Sequence, residues 1–289
     1  MRRNLAGVLW MAFAGLCFVA VNLAVKMVGP GVPAAQSAFL RFAFGVLLLS
    51  PLFLRVLRRG VPAATVPLFA LRGAVHVAAV CLWFFAMAQL PVSEAVAIGY
   101  LNPVLVTLGA VLVFGERLGW RKLAALAIAC CGALVILRPG LREVAPAHLA
   151  QIGAAVCFAG SYLCAKRLGE AASSGTVVAV LSLTVMLGLA PLAAAVWVPV
   201  GGRELVLLAA VAGFATLAHY AMMRAFAAAP LSVTQPVVFL QLVWAALTDI
   251  LVFGHPVDPV VALGAAAIVA AILLLSLPSA GRVAPGPPA

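Results

Sequence analysis

The sequence predicts an all-α polytopic membrane protein: ten transmembrane helices arranged as two inverted repeats of five, with both termini cytoplasmic. Three observations carry that expectation. Of the 289 residues, 66% are hydrophobic and only 9% are charged, whereas a soluble domain has roughly a quarter of its residues charged. Apolar runs of about 20 residues, long enough to cross a ~30 Å hydrocarbon layer as helix, recur along the whole chain. One phrase also occurs twice: residues 113–120 read VFGERLGW and residues 252–259 read VFGHPVDP, 139 positions apart.

The apolar runs, in order, are 5–28, 36–54, 67–89, 92–114 and 121–137, then 148–166, 175–198, 204–227, 231–253 and 259–277. In lipid every backbone polar group must be bonded internally, and none of these runs alternates as a barrel strand would. The first follows MRR and lacks a small-x-small cleavage site, so it reads as an uncleaved span rather than a secretory signal. Charge then orients the bundle. Ten crossings from a cytoplasmic N-terminus place Arg2, Arg3, Arg55, Arg58, Arg59, Arg117, Arg121, Lys122, Lys166, Arg167 and Arg282 inside. Only Arg138, Arg142 and Arg203 fall outside, which is the positive-inside pattern of a cell inner membrane. The net charge of +11 is thereby placed against a bilayer, and no nucleic-acid partner is called for.

The repeat sets the domain organisation. Without a gap, the 139-residue offset also pairs Pro91 with Pro230, Ser93 with Ser232, Leu101 with Leu240 and Val104 with Val243. An offset of 140 pairs Lys26 in FVAVNLAVK with Lys166 in FAGSYLCAK. A fixed-period match marks two copies of one unit, 1–140 and 141–280. A Pro/Gly-rich tail, 281–289, is expected to be disordered. With an odd number of crossings per copy, the second enters from the opposite face. Each half can then take either of two tilts, and exchanging tilts opens a central cavity to alternate sides. The six cysteines lie in apolar runs without CxxC or metal-ligand spacing and read as small buried hydrophobes, with no metal and no cofactor.

The run VFGERLGWRKLAALAIACCGALVIL resembles the repeat ending of EamA-type members of the drug/metabolite transporter superfamily. FVAVNLAVK and LPVSEAVAIGYLNP resemble other parts of the same repeat. The resemblance covers nearly the whole chain and is closest to bacterial exporters of aromatic and other neutral amino acids, of the YddG type. It implies a central cavity lined mainly by spans one, three, four, six, eight and nine. The second copy departs from the pattern, with His255 and Pro256 where the first has Glu116 and Arg117.

Polar side chains at membrane depth face a bundle interior or cavity, and they fall on those same six spans. Span one offers Asn22 and Lys26, span three His76 and Trp83, and span four Tyr100, Asn102 and Pro103. Span six offers Ser161 and Tyr162, span eight His219 and Tyr220, and span nine Gln235, Pro236, Gln241 and Trp244. The candidate substrate-binding residues are Asn22, His76, Trp83, Tyr100, Asn102, Tyr162, His219, Gln235, Gln241 and Trp244. Pro103 and Pro236 are candidate hinges, since proline removes a helical hydrogen bond, although each could be a passive bend. Pro91 and Pro230 read as first-turn prolines, with Glu94 near a helix N-terminus. Lys26 and Lys166 read as snorkelling to the interface, and Arg41 and Arg224 as snorkelling or binding carbonyls. Spans five and ten are nearly pure Ala/Leu/Ile/Val. The alanine face of Ala262, Ala266 and Ala270 permits close packing, either within a monomer or in a weak homodimer.

No carboxylate sits at the centre of a span, so a permanent cation finds little to neutralise it. A zwitterion with an apolar side chain fits amides, hydroxyls and aromatic faces. Export of neutral hydrophobic or aromatic amino acids is therefore expected, by facilitated diffusion or coupled to protons through His76 or His219. Drugs, purines or sugars remain alternative cargoes on the same architecture. No HExxH, GxSxG or Walker loop is present, and no enzyme is expected.

Overall fold

The computed structural model describes residues 2–29, 31–87, 89, 98–137, 145–244, 247 and 259–276. Every regular element among them is helical. In chain order these are α1 (Arg2–Val28), α2 (Ala34–Leu48), α3 (Ser50–Arg59), α4 (Val66–Met87), α5 (Leu101–Phe114) and α6 (Trp120–Leu137). There follow α7 (Pro146–Ala171), α8 (Ser174–Ala195), α9 (Gly202–Ala228), α10 (Leu231–Trp244) and α11 (Pro259–Ser276).

Among the described residues five helices are long and apolar enough to cross a membrane, and they match spans one, three, six, seven and eight. Shorter apolar helices, Ala34–Leu48, Leu101–Phe114, Leu231–Trp244 and Ala262–Ala271, fall within spans two, four, nine and ten. The expectations placed on Pro91, Ser93, Glu94, Arg138, Arg142, His255, Pro256 and the tail lie outside the described residues. Leu112 is 85% exposed and Val206 70%, an apolar outer surface that water would not tolerate at this density and lipid does.

Span two is not one continuous helix. The chain breaks at Leu49 and restarts as α3. Pro51 has no N–H to give to the preceding turn, and its ring disfavours helical geometry in the residue before it. Arg55, Arg58 and Arg59 all fall on α3.

The first VFG has a local role. Gly115 ends α5 in the left-handed region (φ 63°). Its N–H bonds to the Val111 carbonyl at 3.1 Å, and the Glu116 N–H reaches back to the Ala110 carbonyl at 3.3 Å. This is a glycine-terminated helix end, which a side chain at that position would strain.

Helix pairing is reciprocal between the halves. α1 packs along α9 and α4 along α7, while α2 lies on α8 and α6 on α11. The α6–α11 pair closes to backbone contact: a methyl at Gly132 would lie 2.8 Å from the Gly264 carbonyl oxygen. We call the side where α1 begins the near face and the side where it ends the far face. Towards the near face, Met11, Phe69, Val106, Ala110, Phe226 and Leu231 belong to one buried apolar cluster. It draws on α1, α4, α5, α9 and α10 and forms a plug.

Candidate substrate cavity

Above that plug lies a cavity of about 530 Å³ that reaches the far face at the Gly29–Ala34 connection. Its walls come from α1 (Phe18, Asn22, Val25), α2 (Ser37, Ala38, Arg41), α4 (His76, Val80, Trp83, Phe84), α7 (Phe158, Tyr162) and α9 (Leu208, Val211, His219). The size falls within the ~300–1,000 Å³ range of small-molecule sites.

His76 and His219 form the deep end. Their ring centroids are 6.2 Å apart, edge to face. His76 Nδ1 is 3.0 Å from Ser161 Oγ, so a hydroxyl of α7 fixes a ring of α4. His219 Nδ1 is 2.8 Å from the Ala215 carbonyl. A carbonyl only accepts, so Nδ1 carries the proton and Nε2 is left as an acceptor in the neutral ring. Aromatic neighbours hold both imidazoles: Phe158 at 5.2 Å and Phe42 at 6.3 Å from His76, and Phe18 at 5.3 Å from His219.

Five of the ten sequence-level candidates therefore meet in one space: Asn22, His76, Trp83, Tyr162 and His219. The other five stand elsewhere. Tyr100 caps α5 and stacks on Phe239, with centroids 5.0 Å apart at 19°, which turns it towards α6 and α11. Asn102 Nδ2 donates to the Ala155 carbonyl at 3.1 Å, joining α5 to α7. Gln241 and Trp244 sit beside Gly15 of α1. Gln235 is 1% exposed, and both its amide atoms lack partners among the described residues. Among the described residues the lining thus comes from spans one, two, three, six and eight, not from four and nine. Tyr100 and Trp244 are already engaged by Phe239 and Gly15, and α2 fills the gap.

The hinge candidates also have definite places. Pro103 lies in the first turn of α5, just past the turn at Tyr100 that separates it from helical residues 98–99, an interruption that fits its missing N–H, and its carbonyl accepts the Thr107 hydroxyl at 2.8 Å. Pro236 opens a 3-10 stretch, Gln235–Phe239. The ring of Pro236 excludes an α-type bond to the carbonyl four residues back.

Basic residues supply what the sequence reading missed. Arg41 lines the cavity, with its guanidinium carbon 4.6 Å from the Phe42 ring centroid. Arg72, which no motif singled out, is 1% exposed and donates to the Val177 carbonyl at 2.8 Å. Lys166 does not snorkel. It donates to the carbonyls of Phe226 and Ala229 where α9 ends, a cation at a helix C-terminus. Arg224 lies over Trp10 and bonds the Tyr220 hydroxyl at 3.2 Å.

At the near face a carboxylate ties the two halves together. Glu116 accepts from the Leu231 N–H (2.8 Å), the Ser232 N–H (3.0 Å) and the Ser232 hydroxyl (2.5 Å). Lys122 Nζ donates to Ser232 Oγ at 2.8 Å. The acid that follows VFG thus caps the helix that begins within APLS, where free N–H groups favour an anion.

Comparison with known proteins points the same way. The EamA-like transporter family matches twice, over residues 5–138 and 145–277. A riboflavin transporter of Vibrio cholerae is 30% identical over 94% of this chain and 93% of its own length. Another, of Rhizobium johnstonii, is 32% identical over 94% and 91%. An S-adenosylmethionine uptake transporter of Rickettsia prowazekii is 22% identical over 95% and 94%. A solved crystal structure superposes with a TM-score of 0.80, covering 94% of this chain and 98% of that one at 20% identity, a likeness of fold.

Proposed function

Since the chain belongs to the EamA-like transporter family, we propose that its cavity carries a flat, ring-bearing metabolite of the flavin type across a bacterial inner membrane. Transport proceeds by alternating access between two five-helix copies inserted in opposite senses. The reciprocal pairing of α1 with α9 and α4 with α7 supports the inverted arrangement. With the charge bias setting the near face inside, the conformation here is open outward.

The single observation that carries the cargo class is the wall itself: Phe18, Trp83, Phe84, Phe158 and Tyr162 all face one space. Aromatic faces bind flat rings by stacking or edge contacts worth about 0.5–1.5 kcal/mol each beyond area burial. Alignment with riboflavin transporters over more than nine-tenths of the chain supports the same reading. Purified protein in liposomes is expected to speed riboflavin equilibration over protein-free vesicles, read by flavin fluorescence. No acceleration of riboflavin or any other ring compound overturns the proposal.

Export of neutral aromatic amino acids is the weaker reading. Arg41 could take the carboxylate, but among the described residues no Asp or Glu lines the cavity to receive the ammonium. Flux of tryptophan and phenylalanine without flux of riboflavin would restore it.

A further inference from the structure

Two arginines on the path have more donors than the described residues satisfy. Arg41, seven residues into α2, lines the cavity. It has no hydrogen-bonding or ion-pairing partner among the described residues, and its guanidinium lies against the Phe42 ring. A guanidinium keeps its charge under all ordinary conditions. Held at membrane depth without a counter-charge, it carries a free-energy cost that marks a binding role.

Arg72 repeats the pattern below the floor. Arg72, His76, Val80 and Trp83 follow one another at helical spacing along one face of α4, and the last three line the cavity. Arg72 is the next position on that stripe, about 6 Å beyond His76 towards the near face. Its Nη1 holds the Val177 carbonyl, while Nε and Nη2 have no partner among the described residues. A tie between α4 and α8 needs only the one nitrogen. The remaining two form the edge of the fork that matches a paired acceptor.

We infer, building on the ring-metabolite reading above, that this path selects ring compounds whose edge is anionic or carries paired acceptor oxygens. Arg41 anchors that edge in the outward-open state, and Arg72 receives it in the half of the path that is sealed here. Carboxylates present the required acceptor pair, as does a ring edge with a carbonyl oxygen beside an unprotonated ring nitrogen, and organic cations are rejected by two fixed positive charges.

The test uses full-length protein in nanodiscs, with 2-naphthoate, 2-naphthamide and 2-naphthylmethylamine as ring-matched probes, titrated by calorimetry. The wild-type chain is expected to bind the carboxylate at least about tenfold more tightly than the amine, the worth of one charge-assisted hydrogen bond. Arg41→Gln is expected to lose that preference, whereas Arg41→Lys, which keeps the charge but lacks the fork, is expected to bind the carboxylate more weakly and still reject the amine. Arg72→Lys keeps one donor for Val177. It is expected to leave carboxylate binding within about twofold and to slow carboxylate flux in liposomes by about tenfold or more. Equal wild-type binding of all three probes, a comparison that needs no variant, overturns the inference and leaves the ring-metabolite reading intact. Unchanged flux in Arg72→Lys removes Arg72 from the path. Failure of every ring compound, riboflavin included, to bind or move overturns both.

Discussion

At the scale of single residues, the deep end of the cavity rests on one hydroxyl. Ser161 is fully buried and is the hydrogen-bond partner of His76 Nδ1. Ser161→Ala leaves that nitrogen buried and unpaired, a loss of about 1–3 kcal/mol, and the thermal midpoint in detergent is expected to fall accordingly. Asn22 faces the cavity and makes no hydrogen bond to a described residue. Asn22→Ala is therefore expected to move stability by no more than about 0.5 kcal/mol, with any effect confined to binding. The histidines, Asn22, Trp83 and Tyr162 were legible because a polar or aromatic residue inside an apolar run stands out. Arg72 was not. It lies six residues from the start of α4, where a basic residue reads as interfacial, and only its four-residue spacing from His76 shows that the two share a face. Gln36 was missed as well. It binds the Val198 backbone twice, at 2.8 and 2.9 Å, and a contact across 162 positions leaves no local trace.

At the scale of elements, the end of α5 and the start of α10 act as one joint. Gly115 turns the chain so that Glu116 can reach the first N–H groups of α10. Glu116→Ala removes that cap, a loss of about 0.5–2 kcal/mol, and it does so at the sealed face. A cysteine placed at Ala229, which is 4% exposed, is expected to react faster with a thiol reagent in the Glu116→Ala background. Unchanged labelling would show that the cap does not hold this face shut. The α6–α11 pair is tested separately. Gly132→Val forces atoms onto the Gly264 backbone, and a lowered thermal midpoint is expected, equivalent to about 1–3 kcal/mol.

At the scale of the whole molecule, an apolar plug below the cavity and an opening above it define one of two states. Cysteines at 116 and 232, whose present side chains bond at 2.5 Å, can be bridged by a short thiol reagent in a background without the native cysteines. Bridging is expected to abolish flux while leaving the cavity reachable from the far face; undiminished flux would show that the near face need not open. The all-helical membrane class was legible because apolar run length is read directly from the chain. The break at Leu49 was less so, because Pro51 lies inside an otherwise unbroken apolar run. The lining of α2 in place of α5 and α10 was not legible at all. It depends on where Tyr100 and Trp244 find partners, and no periodicity encodes that.

Gln235–Phe239 is wound at 3-10 pitch in the middle of α10. Relaxing five residues from three per turn to 3.6 would draw the segment in by about 2.5 Å and turn everything beyond it by about 100°. Gln241 and Trp244, now parked against Gly15, ride on the rotated part. A screw thread of five residues could thus carry an amide and an indole round to a new bearing without moving the base of α10.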